Sequence, residues 1–263
     1  MIRTDKWIYY DLEKTGCTFL EKKLRKVSSN AMVYKTKKHS RPLISHPVPK
    51  MMTIRHPYLW FFSLWSYGLD GNGSFAKKMK WRFPNVAASA YKNKSKDCFS
   101  YFLDFALSCP SNIPKKQIFD AVLPLSCDVY TSRILTMLIP AQDLQSFGQG
   151  LRTDLSKDSI AQALKSYLPD VLIRTSTLNQ DFYRYANAGK LGFLALKSNW
   201  EKLFPINDSP RNASKLSSSN IGIEKVENYL SSYHQELIDC KSNTAFYCLE
   251  MAENKIKKCV GLS

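Results

Sequence analysis

Several features that would classify a chain quickly are missing here. Seven cysteines, at 17, 98, 109, 127, 240, 248 and 259, include no Cys-x-x-Cys pair, and none has a histidine at zinc-ligand spacing. An odd, unpatterned set of this kind reads as reduced thiols in a cytoplasmic protein, not as a disulfide framework or a metal knuckle. No run approaches 18 apolar residues, so no membrane span is expected, and the charged, apolar, small-residue order of an export signal is missing from the start. Without export, the sequons at Asn93-Lys94-Ser95, Asn207-Asp208-Ser209 and Asn212-Ala213-Ser214 read as chance matches. There is no internal repeat and no linker of domain-separating length, so residues 1–263 are expected to form one domain. Acidic residues are scarce: 22 Asp and Glu face 38 Lys and Arg, a net charge of +16. Such an excess gathers anionic partners by long-range steering without saying which kind. No Lys/Arg block is long enough to be a disordered basic tail.

What the chain does contain is a strand, turn and helix signal almost at its start. Trp7-Ile8-Tyr9-Tyr10-Asp11-Leu12 is rich in aromatic and β-branched residues and reads as a buried strand. Glu13-Lys14-Thr15-Gly16-Cys17-Thr18 then breaks the pattern, and Leu20, Leu24 and Val27 recur at helical spacing. A helix that starts just past a strand end directs its first backbone N–H groups back over that end, which makes an anion cradle. Lys14 can fold over the same anion, with the hydroxyls of Thr15 and Thr18 as further donors. The order is not that of a Walker A loop, which needs two glycines four residues apart and a lysine after the second.

Lysine before glycine resembles the 5′-phosphosulfate loop of the sulfotransferases that use 3′-phosphoadenosine 5′-phosphosulfate (PAPS), which in their glycan-modifying branch reads Pro-Lys-Thr-Gly-Gly-Thr. Glu13 stands in place of the proline and Cys17 in place of the second glycine. The substitution at Cys17 is tolerable if that residue contributes only its backbone N–H, and strained if the backbone there is left-handed. A second element follows about 40 residues on. Met51-Met52-Thr53-Ile54 reads as a strand ending at Arg55, and Pro57 suits the first turn of the next helix. Ser63 lies six residues beyond Pro57, roughly 9 Å along the helix axis. Arginine at a strand end with serine eight positions later is similar to the 3′-phosphate element of the same family, commonly written Arg-Asp-Pro or Arg-His-Pro. A guanidinium fork suits a terminal phosphate dianion, and a serine hydroxyl adds a directional donor.

The remaining likenesses are looser. Asp128 to Leu135 resembles a helix that follows the cofactor elements in prokaryotic glycan sulfotransferases, with Arg133 placed either at the ligand or in a structural ion pair. Val171-Leu172-Ile173-Arg174 reads as a strand, and Leu178-Asn179-Gln180-Asp181-Phe182 resembles an architectural passage of the family. Arg211, Ser214 and Lys215 resemble a late loop that closes over the nucleotide. Elsewhere, Phe75 to Pro84 is basic and aromatic and reads as a solvated surface helix or lid, and residues 97–107 read as a core helix capped by Asp97. Residues 1–6 are a lead-in, and the last 40 residues read as helical.

The resemblance implies a P-loop-like, three-layer α/β domain with a mostly parallel sheet flanked by helices. It implies PAPS as sulfuryl donor, a glycan or other hydroxyl-bearing acceptor, no metal and no nucleic acid. Lys14, Thr15, Gly16, Cys17, Thr18, Arg55, Ser63, Arg211, Ser214 and Lys215 would hold the nucleotide, with Lys14 also catalytic. Of the four histidines, His39 and His46 fall in the loop where the family commonly places its base, and His39 is preferred for its Lys38-His39 context. Two other classes remain open at this point: a nucleotide-dependent phosphotransferase, and a non-enzymatic basic module that binds nucleic acid or acidic glycan. Acceptor identity and oligomeric state are not legible.

Overall fold

The apolar run near the start of the chain becomes a central strand of a mixed sheet. The computed structural model describes residues 1–27, 34–35, 47–108, 128–140, 142–143, 162, 164–194, 196–205 and 223–259. Among these, the strands are β1 (Ile2–Arg3), β2 (Ile8–Tyr10), β3 (Tyr34–Lys35), β4 (Lys50–Ile54) and β5 (Val171–Arg174), in the order β3-β1-β2-β4-β5. β2, β4 and β5 are parallel, with Tyr9 beside Met51 and Met51 beside Val171. β1 runs antiparallel to both β2 and β3.

This corrects two expectations. The sheet is mixed and not mostly parallel, and residues 1–6 are not a mere lead-in. Only residues 4–7 separate β1 from β2, whereas a parallel pair needs a crossover of about a dozen residues. A hairpin is the available solution. Thr4 ties it, its hydroxyl donating to the Trp7 carbonyl at 2.9 Å and accepting from the Trp7 and Lys6 amides at 2.8 and 3.1 Å.

Helices cover both faces. On one, α1 (Cys17–Val27) and α7 (Leu178–Asn187) pack Leu20, Leu24, Val27, Phe182 and Tyr185 against Tyr9, Met51, Val171 and Ile173. Leu20, Leu24 and Val27 are fully buried, and each contributes roughly 1.5–3 kcal/mol by leaving water. On the other face, Ile8, Tyr10, Met52, Ile54 and Leu172 meet α2 (Pro57–Leu69), α5 (Lys96–Ser108), α6 (Val129–Leu138) and α9 (Ser232–Cys259). The smaller helices α3 (Ser74–Arg82), α4 (Pro84–Ala90) and α8 (Ile223–Glu227) lie outside this layer, against α2 and α5. Burial on both faces explains why β4 and β5 carry near-continuous apolar runs where a half-exposed strand would alternate.

Caps follow local chemistry. Asp128 caps α6, accepting from the Tyr130 and Thr131 amides at 2.8 and 3.0 Å. The cap of α5 is Ser95 and not the expected Asp97. Its hydroxyl accepts from the Cys98 amide at 3.2 Å and its carbonyl from Phe99, while Asp97 sits inside the first turn, where a negative charge favours the helix dipole. α2 begins at Pro57, as the sequence implies.

Candidate functional site

Chain direction makes the site. β2 and β4 are adjacent and parallel, yet the chain leaving β2 turns into α1 on one face of the sheet and the chain leaving β4 turns into α2 on the other. Neighbouring strands whose connections diverge in this way open a crevice at their carboxyl ends, where α/β sheets commonly bind ligands. Lys14 comes to this crevice from the β2 side and Arg55 from the β4 side.

Three contacts fix the loop between β2 and α1. Arg55 Nη1 donates to the Lys14 carbonyl at 3.2 Å, and Trp60 Nε1 donates to the Glu13 carbonyl at 2.7 Å. The Glu13 carboxylate pairs with Arg133 Nε at 2.8 Å, both side chains largely buried. Held in this way, Lys14 adopts a left-handed backbone with φ 63°, a conformation that costs a non-glycine residue about 1–2 kcal/mol. Gly16 follows at φ 76°, and its carbonyl accepts the Leu20 amide as α1 begins. The left-handed positions are therefore Lys14 and Gly16. Cys17 is a regular first residue of α1, with its side chain buried in the core, so cysteine in place of a second glycine carries no backbone strain.

Lys14 Nζ lies 3.8 Å from the centre of the Tyr67 ring. Burial, and next the nearby Arg55 guanidinium, pull the Lys14 ammonium down from 10.5 to about 8, partly offset by Cys17, Asp70 and Glu13. Burial also pulls Arg55 down to about 10, and its backbone is fixed by Tyr130, whose hydroxyl donates to the Arg55 carbonyl at 2.7 Å. Two cations drawn together out of water, each destabilised by its surroundings, make a place where an anion gains more than it would at an open surface.

Ser63 belongs to the same wall. Trp60 and Tyr67 both touch the loop, and Ser63 stands three residues after the first and four before the second, which puts all three on one stripe of α2. Its hydroxyl is buried and has no hydrogen-bond partner among the described residues. An unsatisfied buried hydroxyl costs free energy, and such groups are uncommon in folded proteins.

Thr15 behaves differently from expectation. Its hydroxyl is fully buried beneath the loop, donating to the Leu12 carbonyl at 2.7 Å and meeting Thr53 Oγ1 at 2.7 Å, which in turn meets the Tyr9 hydroxyl at 2.9 Å. This chain of hydroxyls, running from Tyr9 through Thr53 and Thr15, pins the loop to β2 and β4. The Thr15 side chain is thus part of the scaffold and not an anion donor. Thr18 is exposed on the first turn of α1.

Comparisons with protein-family models, with curated proteins and with solved structures find no match. The site therefore stands on its geometry. Lys14, Thr15, Gly16, Cys17, Thr18 and Arg55 come together, with Ser63 on the adjoining wall. His39, His46, Arg211, Ser214 and Lys215 lie outside the described residues. The other two histidines serve packing. His56 sets its ring edge-on to Tyr58 and Phe246, and burial lowers its pKa against the opposing pull of Glu250 and Asp239. His234 bridges Ser231 at 2.7 Å and Asp104 at 2.9 Å, joining α9 to α5. Asp181 accepts from the Arg174 amide at 2.9 Å and from the Thr177 hydroxyl at 3.0 Å, an architectural role as read from the sequence. Arg133, open between ligand and ion pair, is in an ion pair with Glu13. Trp60 and Tyr67 were not singled out from the sequence, although their spacing around Ser63 was there to be read.

Proposed function

We propose that this chain is a PAPS-dependent sulfotransferase with a P-loop-like domain, working in the cytoplasm on an acceptor hydroxyl of a glycan or glycolipid. The observation that carries the reading is the meeting of Lys14 and Arg55 across the crevice between β2 and β4, with the buried Ser63 hydroxyl alongside. The two sequence elements that resemble the family's 5′-phosphosulfate and 3′-phosphate sites are 41 residues apart in the chain and adjacent in space. A nucleotide with phosphate groups at both ends of its ribose matches a site with cations of separate origin.

On this reading the α1 amides and Lys14 hold the 5′-phosphosulfate, and Arg55 with Ser63 holds the 3′-phosphate. The acceptor oxygen forms a bond to sulfur as the bond from sulfur to the bridging oxygen breaks, and the electron pair stays on the 5′-phosphate. Lys14, charged at neutral pH, meets that developing charge, which is worth most in a dry crevice. The acceptor proton passes to a base, for which His39 and His46 are the candidates. Positioning and cations dominate such a loose transfer, as in phosphoryl transfer.

Calorimetric titration with 3′-phosphoadenosine 5′-phosphate (PAP), with magnesium-ATP and with an oligonucleotide tests the assignment. The bisphosphate should bind tightest by at least about tenfold, a difference of 1.4 kcal/mol. Preference for magnesium-ATP would favour a phosphotransferase, and preference for the oligonucleotide a nucleic-acid module.

A further inference from the structure

A second feature stands apart from the crevice and from the sulfuryl-transfer reading. Between Asp70 and Asp97 the chain has no acidic residue, while it has Lys77, Lys78, Lys80, Arg82, Lys92, Lys94 and Lys96. All of these except the half-buried Lys78 are exposed. Lys77, Lys80, Lys92, Lys94 and Lys96 take part in no ion pair among the described residues. Lys80 Nζ lies 5.9 Å from the Tyr91 ring, which brings the end of α3 beside the turn that carries Lys92 and Lys94. The cations of two segments thus form one face.

Helical geometry aims this face outward. α3 buries Phe75, Ala76 and Met79. At 100° per residue, Lys77 and Trp81 project from the opposite side of the helix. Trp81 is 71% exposed, the most exposed large apolar side chain among the described residues, and the Arg82 guanidinium lies 3.8 Å from its ring centre. A tryptophan this exposed, with a guanidinium over its ring, buries little surface that would hold the fold together.

We infer that the α3 face, from Lys77 through Trp81 to Lys94, docks the protein peripherally on an anionic lipid bilayer. Tryptophan is favoured at the boundary between headgroups and acyl chains, and lysine and arginine pair with anionic headgroups above it. Charge complementarity selects a negative partner, and form selects among negative partners. The patch presents one exposed ring near the end of α3, which suits a deformable surface, and one face of that ring, where a base or sugar would stack, is already covered by Arg82. No helix among the described residues is long and apolar enough to cross a membrane, so the attachment is at the surface.

The test is co-sedimentation of the full chain with vesicles of phosphatidylcholine alone and of phosphatidylcholine with 30% phosphatidylserine, taken as a roughly cell-like anionic content. Binding should need phosphatidylserine and should fall steeply as salt is raised from about 0.1 to 0.5 M. Each cation near such a surface changes affinity roughly fivefold, so Lys77→Glu with Lys80→Glu should weaken binding by more than about tenfold. Trp81→Ser should weaken it by on the order of tenfold. Lys22→Glu with Lys26→Glu on α1 makes the same change in net charge elsewhere and should leave binding within about twofold of the parent. Circular dichroism checks that each variant folds. Equal loss in the α1 pair, absence of binding to the anionic vesicles, or patch-dependent binding to heparin or an oligonucleotide without binding to vesicles would each overturn the inference.

Discussion

Raising the pH from 7 to 9 should weaken the binding of PAP about tenfold, and Lys14 should account for the change. In the free protein, burial and the Arg55 charge hold the Lys14 ammonium at about 8. A phosphate placed against it favours the charged form and so offsets both the burial and the repulsion, raising the ammonium back toward its ordinary range, so the bound form takes up a proton wherever the free form lacks one. The sign follows: affinity is level below the free-state value and falls as the pH rises through it, by about a factor of ten per pH unit until the bound-state value is reached. At pH 9 only about a tenth of free Lys14 is charged, which gives the tenfold loss. The phosphates do not confuse the assay, because monoester phosphates are almost fully ionised above about pH 7. Calorimetry at pH 7, 8 and 9, in two buffers of different ionisation enthalpy, reads both the affinity and the proton taken up. Lys14→Met should bind more weakly at pH 7 and lose the slope. A slope absent from the parent, or preserved in Lys14→Met, would refute the electrostatic account of the crevice.

Arg55→Ala should cost about 1.5–3 kcal/mol of PAP affinity while leaving 5′-AMP affinity much less changed if, as proposed, it holds the 3′-phosphate; equal losses for both nucleotides would reassign the residue. Thr53→Val breaks the hydroxyl chain at its middle and strands the buried Tyr9 hydroxyl, so urea unfolding should show about 1–3 kcal/mol of destabilisation, and a loss under about 0.5 would mean the chain is incidental. Gly68→Ala places a Cβ 2.7 Å from Tyr91 Cε1 and 2.8 Å from Ala76 Cβ, which should destabilise by about 1–3 kcal/mol and loosen α3 on α2; an unchanged denaturation midpoint would show that the packing yields.

The local signals in the sequence and the long-range ones fared differently. β2, α1, β4, α2 and β5 all fall where apolar runs, Pro57 and helical spacing put them, because each element is dictated by a contiguous pattern. β1 has only two residues, too few to show any period, and its pairing follows from the short turn at Thr4. The resemblance brought Lys14, Arg55 and Ser63 to notice, and the crevice places the first two in contact. What holds them there was not legible. Trp60 reaches Glu13 across 47 residues, Glu13 reaches Arg133 across 120, and Thr15 reaches Thr53 across 38. Such partners leave no spacing in the sequence, because they are set by the order of the strands. The place of the Thr15 hydroxyl is hidden in the sequence for the same reason: a threonine in a turn between strand and helix reads as an anion donor until Thr53 is seen beneath it.

The central claim is that Lys14 and Arg55 present PAPS to an acceptor hydroxyl, and transfer of labelled sulfur tests it most directly. The chain and its Lys14→Met variant would be incubated with radiolabelled PAPS and a panel of oligosaccharides, glycolipids, phenols and amines, at low and moderate salt. The account predicts label on a carbohydrate acceptor and loss of that label in the variant, because the lysine charge is needed most in the transition state. Label carried by no acceptor, together with no measurable affinity for PAP, would contradict it.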